Sequence, residues 1–214
     1  MCLDVKDVPQ DVVLPRGWEK FGLGLEVGPV YPDGWNSFSN EFSTVISLFS
    51  ECLLGTVLLL GDAVEMAYVF HDGKSFYYYV GGAPVEGRAV EGFQLERLPG
   101  RLQDFYREVH DGYTFFPARS MGPQCLCDQS RISDLVDEDG GCHAENWITV
   151  FSNGGGDYVA VEADKHAGAE GLIWWHEDSA SPELGIDIFE VMNAWMGIFL
   201  EDTKSREELI AGNY

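Results

Sequence analysis

The sequence predicts an α+β fold: a mainly antiparallel, twisted sheet flanked by helices, with an additional α+β region on the N-terminal side. Short β-rich runs follow one another through turns too short for the crossover that parallel strands need. Three other segments repeat apolar residues at helical spacing. Of the 214 residues, 45% are hydrophobic and 13% aromatic, enough to fill a sizeable core. This length suits one large domain or two small ones.

The elements follow in order. Residues 1–35 scatter apolar side chains among Pro and Gly and read as short extended pieces. Asn36 or Ser37 then caps a helix whose apolar face is Phe38, Phe42, Val45, Ile46, Phe49 and Leu53. Thr56 to Leu60 reads as a buried strand. Val64 to Phe70 and Ser75 to Val80 make a hairpin across His71-Asp72-Gly73-Lys74, because glycine accepts the positive φ of a tight turn. Gly81 to Gly92 is rich in glycine and holds Pro84, which sets a boundary between an N-terminal region, 1–94, and a second domain, 95–214.

Leu98-Pro99 opens the second domain with a helix that presents Leu102, Phe105, Tyr106 and Val109 on one face and stops at Asp111-Gly112. Tyr113 to Ala118 reads as a strand. Ile132, Leu135 and Val136 suggest a short helix ending in Asp137-Glu138-Asp139 and Gly140-Gly141. Trp147 to Phe151, Asp157 to Ala163 and Gly171 to His176 are three strands separated by turns. Ile188, Met192, Trp195 and Phe199 recur at helical spacing and predict a terminal helix packed on the sheet.

Charge narrows the function. Thirteen Lys and Arg face 36 Asp and Glu, a net charge of −23. Such a surface repels phosphate backbones and anionic lipid, which argues against nucleic acid and membranes as partners. From Asp128 to Asp202 there are 17 acids and two bases, Arg131 and Lys165, a local net charge of −15. A surface shaped only for solubility mixes its signs, whereas one sign in excess attracts a basic partner and speeds the encounter. Met1-Cys2-Leu3-Asp4 has neither the basic start nor the apolar run of a secretory signal, and Cys52 to Gly61 is too short to span a bilayer. Five cysteines, an odd and sparse set, fit reduced thiols in a cytoplasmic protein better than a disulfide framework.

The motifs that could carry chemistry fall short of it. Gly154-Gly155-Gly156-Asp157 lacks the Gly-Lys-Ser/Thr of a phosphate loop, and a strand rather than a helix follows it. A calcium loop needs several acids at alternate positions, and only Asp157 is present. The glycines read as a turn between antiparallel strands, with Asp157 placed to tie down backbone N–H groups. Cys125, Cys127, Cys142 and His143 are four candidate zinc ligands, but Cys-x-Cys is tighter than the knuckles of structural zinc sites. His143-Ala144-Glu145 imitates the His-x-Glu of zinc deaminases without the later Cys-x-x-Cys that completes their metal site. His176 with Glu177 and Asp178 reads as a strand end facing solvent. No metal, cofactor or catalytic residue is therefore expected.

"LPGRLQDFYREVHDGY" (98–113), "RISDLVDE" (131–138), "FSNGGGDYVAVE" (151–162), "GLIWWHED" (171–178) and "IDIFEVMNAWMGIFLED" (186–202), in that order, resemble the SUKH superfamily over roughly residues 95–202. That group holds bacterial immunity proteins of polymorphic toxin systems and fungal regulators of cell-wall synthesis. The resemblance implies a helix-flanked twisted sheet without catalytic residues, and it leaves the first 90 or so residues unexplained.

Three functions remain in view. One is a cytoplasmic immunity protein that binds and neutralises a cognate toxin, with a basic nuclease-type toxin suiting the acidic surface. Another is an intracellular regulatory or scaffold protein of the SUKH fold with no toxin partner. The third is an enzyme or metal protein built on Cys125, Cys127, Cys142 and His143. For the binding readings the candidate contact residues are Asp137, Glu138, Asp139, Glu177 and Asp178, acids beside exposed turns.

Overall fold

The computed structural model describes residues 1–25, 28–85, 95–135 and 146–212. In chain order its elements are β1 (Gly22–Leu23), α1 (Ser43–Cys52), β2 (Gly55–Leu60), β3 (Val64–His71) and β4 (Phe76–Gly82). Then come α2 (Gly100–Glu108), β5 (Asp111–Phe116), β6 (Gly122–Pro123), β7 (Trp147–Ser152), β8 (Tyr158–Glu162) and β9 (Glu170–Trp174). β10 (Glu183–Asp187), α3 (Ile188–Leu200) and α4 (Arg206–Ala211) close the chain.

The strands form two five-stranded sheets, β1-β2-β3-β4-β5 and β10-β9-β8-β7-β6, in which neighbours in space are neighbours in sequence. Every pairing is antiparallel. The α+β class expected from short turns is thus what forms, as two meanders. β5 follows the boundary expected at residue 94, yet it pairs with β4 through Tyr78↔Phe116 and Val80↔Thr114. The change from one sheet to the other falls between β5 and β6. The expected boundary segment itself lies largely outside the described residues.

The period of two along each strand sends alternate side chains into the interior. Leu58, Met66, Tyr68, Phe70, Tyr79 and Tyr113 point inward from the first sheet, and Val150, Val159 and Val161 from the second. They share one continuous core with the apolar faces of α1, α2 and α3. Leu102, Phe105, Tyr106 and Val109 are fully buried, as the spacing of α2 predicts. Met192 is buried too, but Trp195 and Phe199 are only half-buried, because Ile188, Phe189, Met196 and Leu200 occupy the inner line of α3.

The first predicted helix starts later than its pattern suggests. Asp33–Phe38 is a 3-10 helical turn, and the α-helix begins at Ser43. Phe38 and Phe42 are buried all the same, so the apolar repeat marks a burial face across both pieces. The short helix expected from Ile132 onward is a 3-10 turn, Ile132–Asp134, within the described residues.

A polar chain runs through this aromatic core. Trp35 Nε1–H donates to Tyr68 Oη at 2.7 Å, and Tyr68 Oη–H donates to His110 Nε2 at 2.7 Å. His110 Nδ1–H donates in turn to the Gly82 carbonyl at 2.9 Å. Burial pulls the His110 pKa down to about 4 despite the Gly82 hydrogen bond, and the neutral imidazole that results has one N–H for the Gly82 carbonyl and one acceptor for Tyr68. A Cβ on Gly81 would lie 2.4 Å from the His110 ring, so the strand passes the imidazole only as glycine. The side-chain polar atoms of Trp35, Tyr68 and His110 all have partners, which is the condition for burying such groups at little cost.

Candidate partner-binding surface

The glycine-rich stretch after β7 is a hairpin turn. Gly154 and Gly156 sit at φ 80° and 104°, the left-handed region that glycine enters without strain. Asn153 Oδ1 accepts the N–H groups of Gly155 at 2.7 Å and Asp157 at 3.1 Å, while its Nδ2–H donates to Asp157 Oδ2 at 2.7 Å. Asp157 Oδ1 reaches across to the end of β9. It accepts the backbone N–H of His176 at 3.0 Å and the ring Nδ1–H at 2.7 Å. Partial burial of the carboxylate opposes its ionisation, but the bonds from His176 and Asn153 prevail and hold its pKa below the ordinary carboxylate value. Of the backbone N–H groups that Asp157 is expected to tie down, it takes one, that of His176, while Ser152 and Asn153 take those of the turn.

This clamp fixes how the chain leaves β9. His176–Asp178 forms a 3-10 turn whose residues are all exposed, and the Glu177 side chain is 89% accessible. The chain then returns as β10, which among the described residues pairs only with β9 and forms the edge of the second sheet. Glu183, Leu184, Gly185 and Asp187 of β10 are exposed, and a bulge interrupts the pairing between Leu184 and Ile186. Asp187 also caps α3, accepting from Phe189 N–H at 2.9 Å and Glu190 N–H at 3.2 Å. Five exposed acids are spread along this rim: Glu177 and Asp178 in the turn beyond the Trp174 end of β9, Glu183 at the start of β10, and Glu170 opposite Asp187 at the other end of the two strands. Lys165 is the one Lys or Arg between residues 146 and 187, and it pairs with Glu170 at 3.4 Å.

Of the acids expected to meet a partner, Glu177 and Asp178 stand together on this rim. Asp137, Glu138 and Asp139 lie outside the described residues, as do Cys142, His143 and Glu145. Cys125 and Cys127 are side by side, with Asp128 next to them. The sequence reading missed the β10 edge, although Glu183-Leu184-Gly185-Ile186-Asp187 carries the alternation of a half-exposed strand around its glycine. Among the described residues no helix is long and apolar enough to cross a membrane.

A second exposed surface lies on the outer face of the first sheet. The pairings His71↔Phe76 and Tyr78↔Phe116 bring Phe76, Tyr78 and Phe116 to one side, 56%, 37% and 41% exposed. Beside them is a groove of about 530 Å³ lined by Leu23, Leu25, Leu54, Val69, Phe76 and Leu209. No protein-family model, curated protein or solved structure matches the chain.

Proposed function

We propose that this chain is a non-catalytic binding protein that captures a basic toxin domain of the nuclease type and neutralises it, as an immunity protein of the SUKH kind does. The rim of the second sheet carries the proposal: five exposed acids are spread along it, and Lys165, the one Lys or Arg between residues 146 and 187, is paired with one of them. An excess of one sign along an exposed edge raises the local potential and draws in an oppositely charged protein. A nuclease domain must be basic to hold its own substrate, so an acidic blocker competes for the surface the substrate uses. The Asp157 clamp supports the same reading, since it holds the turn bearing Glu177 and Asp178 on a rigid sheet end and lowers the ordering cost of binding.

The test is co-expression with a basic nuclease-type toxin domain taken from a gene adjacent to this one. Survival of the co-expressing cells and a stable complex on gel filtration are expected. Death of the cells, with this chain present and folded, overturns the toxin reading and turns attention to a regulatory or scaffold role for the same surface.

A further inference from the structure

The segment after β6 is held down almost residue by residue. Gln124 N–H donates to the Val150 carbonyl at 2.9 Å, and the Gln124 carbonyl accepts from Tyr106 Oη–H at 2.8 Å. Leu126 is fully buried, and its N–H donates to Asp111 Oδ1 at 2.8 Å. Asp128 N–H closes a turn onto the Cys125 carbonyl at 3.0 Å, and Gln129 Nε2–H donates to Tyr106 Oη at 2.9 Å. With Leu126 drawn into the core, the residues on either side of it turn outward together. Cys125 is half-buried, Cys127 is exposed, and their Sγ atoms lie 2.6 Å apart.

We propose that Cys125 and Cys127 are a dithiol that low-molecular-weight disulfides of the glutathione class oxidise to an intraloop disulfide, a reversible modification site where the two sheets meet. Cys127 is the accessible sulfur. As thiolate it attacks one sulfur of the reagent, whose S–S bond breaks and releases one thiol. Cys125 then gives up its proton to solvent and attacks Cys127 Sγ, expelling the second thiol. The two cysteine thiols lose two electrons, and the reagent disulfide gains them to become two thiols. An excess of free thiol runs both steps backwards.

Two considerations separate this from the alternatives. Joining residues 125 and 127 closes a minimal loop, which removes little entropy from the unfolded chain, so the bond is no structural staple. Among the described residues Cys125, Cys127 and Asp128 offer three ligand atoms, one fewer than the four of a closed structural zinc site. Burial, helped by Cys127 and Asp128 close by, keeps the Cys125 thiol protonated well above neutral pH. The second step is therefore the slow one, and its rate rises with pH.

The experiment treats the full-length protein with oxidised glutathione at pH 8 and follows intact mass, denatured thiol titration and peptide mapping. Wild type is expected to pass through a mixed disulfide on Cys127 and to end with two of its five thiols lost in a bond between Cys125 and Cys127. Cys125→Ser should stop at the mixed disulfide, and Cys127→Ser should react far more slowly. Dithiothreitol should restore all the thiols. A wild type that stays reduced, keeps the mixed disulfide, or pairs Cys127 with Cys142 overturns the proposal. Circular dichroism of each variant confirms that the comparison is between folded proteins.

Discussion

Asn193 Oδ1, on α3, accepts the backbone N–H groups of both Thr44, at 3.1 Å, and Val45, at 3.2 Å, at the start of α1. Its Nδ2–H donates to Thr44 Oγ1 at 3.0 Å. The residue in the N-cap position, Phe42, makes no side-chain cap of its own. A helix of the first half of the chain thus takes its cap from a helix near the end. Asn193→Ala should cost about 1 kcal/mol, the usual worth of an N-cap, measured as a lower urea midpoint at unchanged slope. Asn193→Asp retains the accepting oxygen and should recover most of that loss.

His110 makes stability depend on pH. Its folded pKa lies near 4 against an ordinary 6.5, so the folded protein keeps it neutral while the unfolded chain takes up a proton. The contribution is whole above pH 6.5 and drains away as pH falls toward 4. Across that window stability should drop by about 1.4 kcal/mol per pH unit from this residue alone. Urea denaturation at several pH values checks it, and His110→Gln should flatten the slope even though it lowers stability at pH 7. Asp157 acts in the same direction but lower on the pH scale: its carboxylate is stabilised in the fold, so its contribution is lost as pH falls through its depressed pKa.

These two cases mark what the sequence can and cannot announce. The hairpin at Asp72-Gly73, the α2 face and the turn at Gly154–Asp157 rest on interactions within a few residues, and local pattern is enough to read them. The start of α1 was misread because Asn36 and Ser37 looked like caps, whereas the cap is Asn193, distant in sequence. The joining of β5 to the first sheet was hidden for the same reason: the glycine-rich stretch before residue 95 announces a loop but not which strand the chain rejoins. At the candidate surface, Glu177 and Asp178 were legible as acids following a strand. That they share a rim with Glu183 and Asp187 depends on β10 folding back along β9.

Half-burial sets the scale for two aromatic truncations. Trp195 lies against Phe151, at 5.8 Å between ring centroids, and Trp175, at 6.1 Å, with one side toward solvent. Phe105 is fully buried and meets Trp35, Phe38 and Phe42 edge-on or tilted within 5.7 Å. Phe105→Ala should therefore cost about 4 kcal/mol, in the range of large aromatic truncations in cores, and Trp195→Ala about 2 kcal/mol. Equal losses in denaturant melts would mean that the outer side of α3 is covered in solution.

Reversing the acids of the second-sheet rim tests how a partner arrives. Glu177 and Asp178 are exposed and make no contact that the core depends on, so Glu177→Lys with Asp178→Lys should leave stability within about 0.5 kcal/mol of wild type. Their contribution to binding is long-range attraction, which acts before contact and is weakened by salt. Stopped-flow association with the toxin domain should be ~10-fold slower for the double variant at low ionic strength, and the gap should close at high salt. The triple variant Asp137→Lys, Glu138→Lys and Asp139→Lys gives the parallel measurement for the other acidic run. A variant that associates as fast as wild type, with the same salt slope, shows that its acids do not steer the partner. Should both variants do so, binding would have to proceed through the aromatic face of Phe76, Tyr78 and Phe116. There, truncating Tyr78 to Ala should raise the dissociation rate and leave association nearly unchanged.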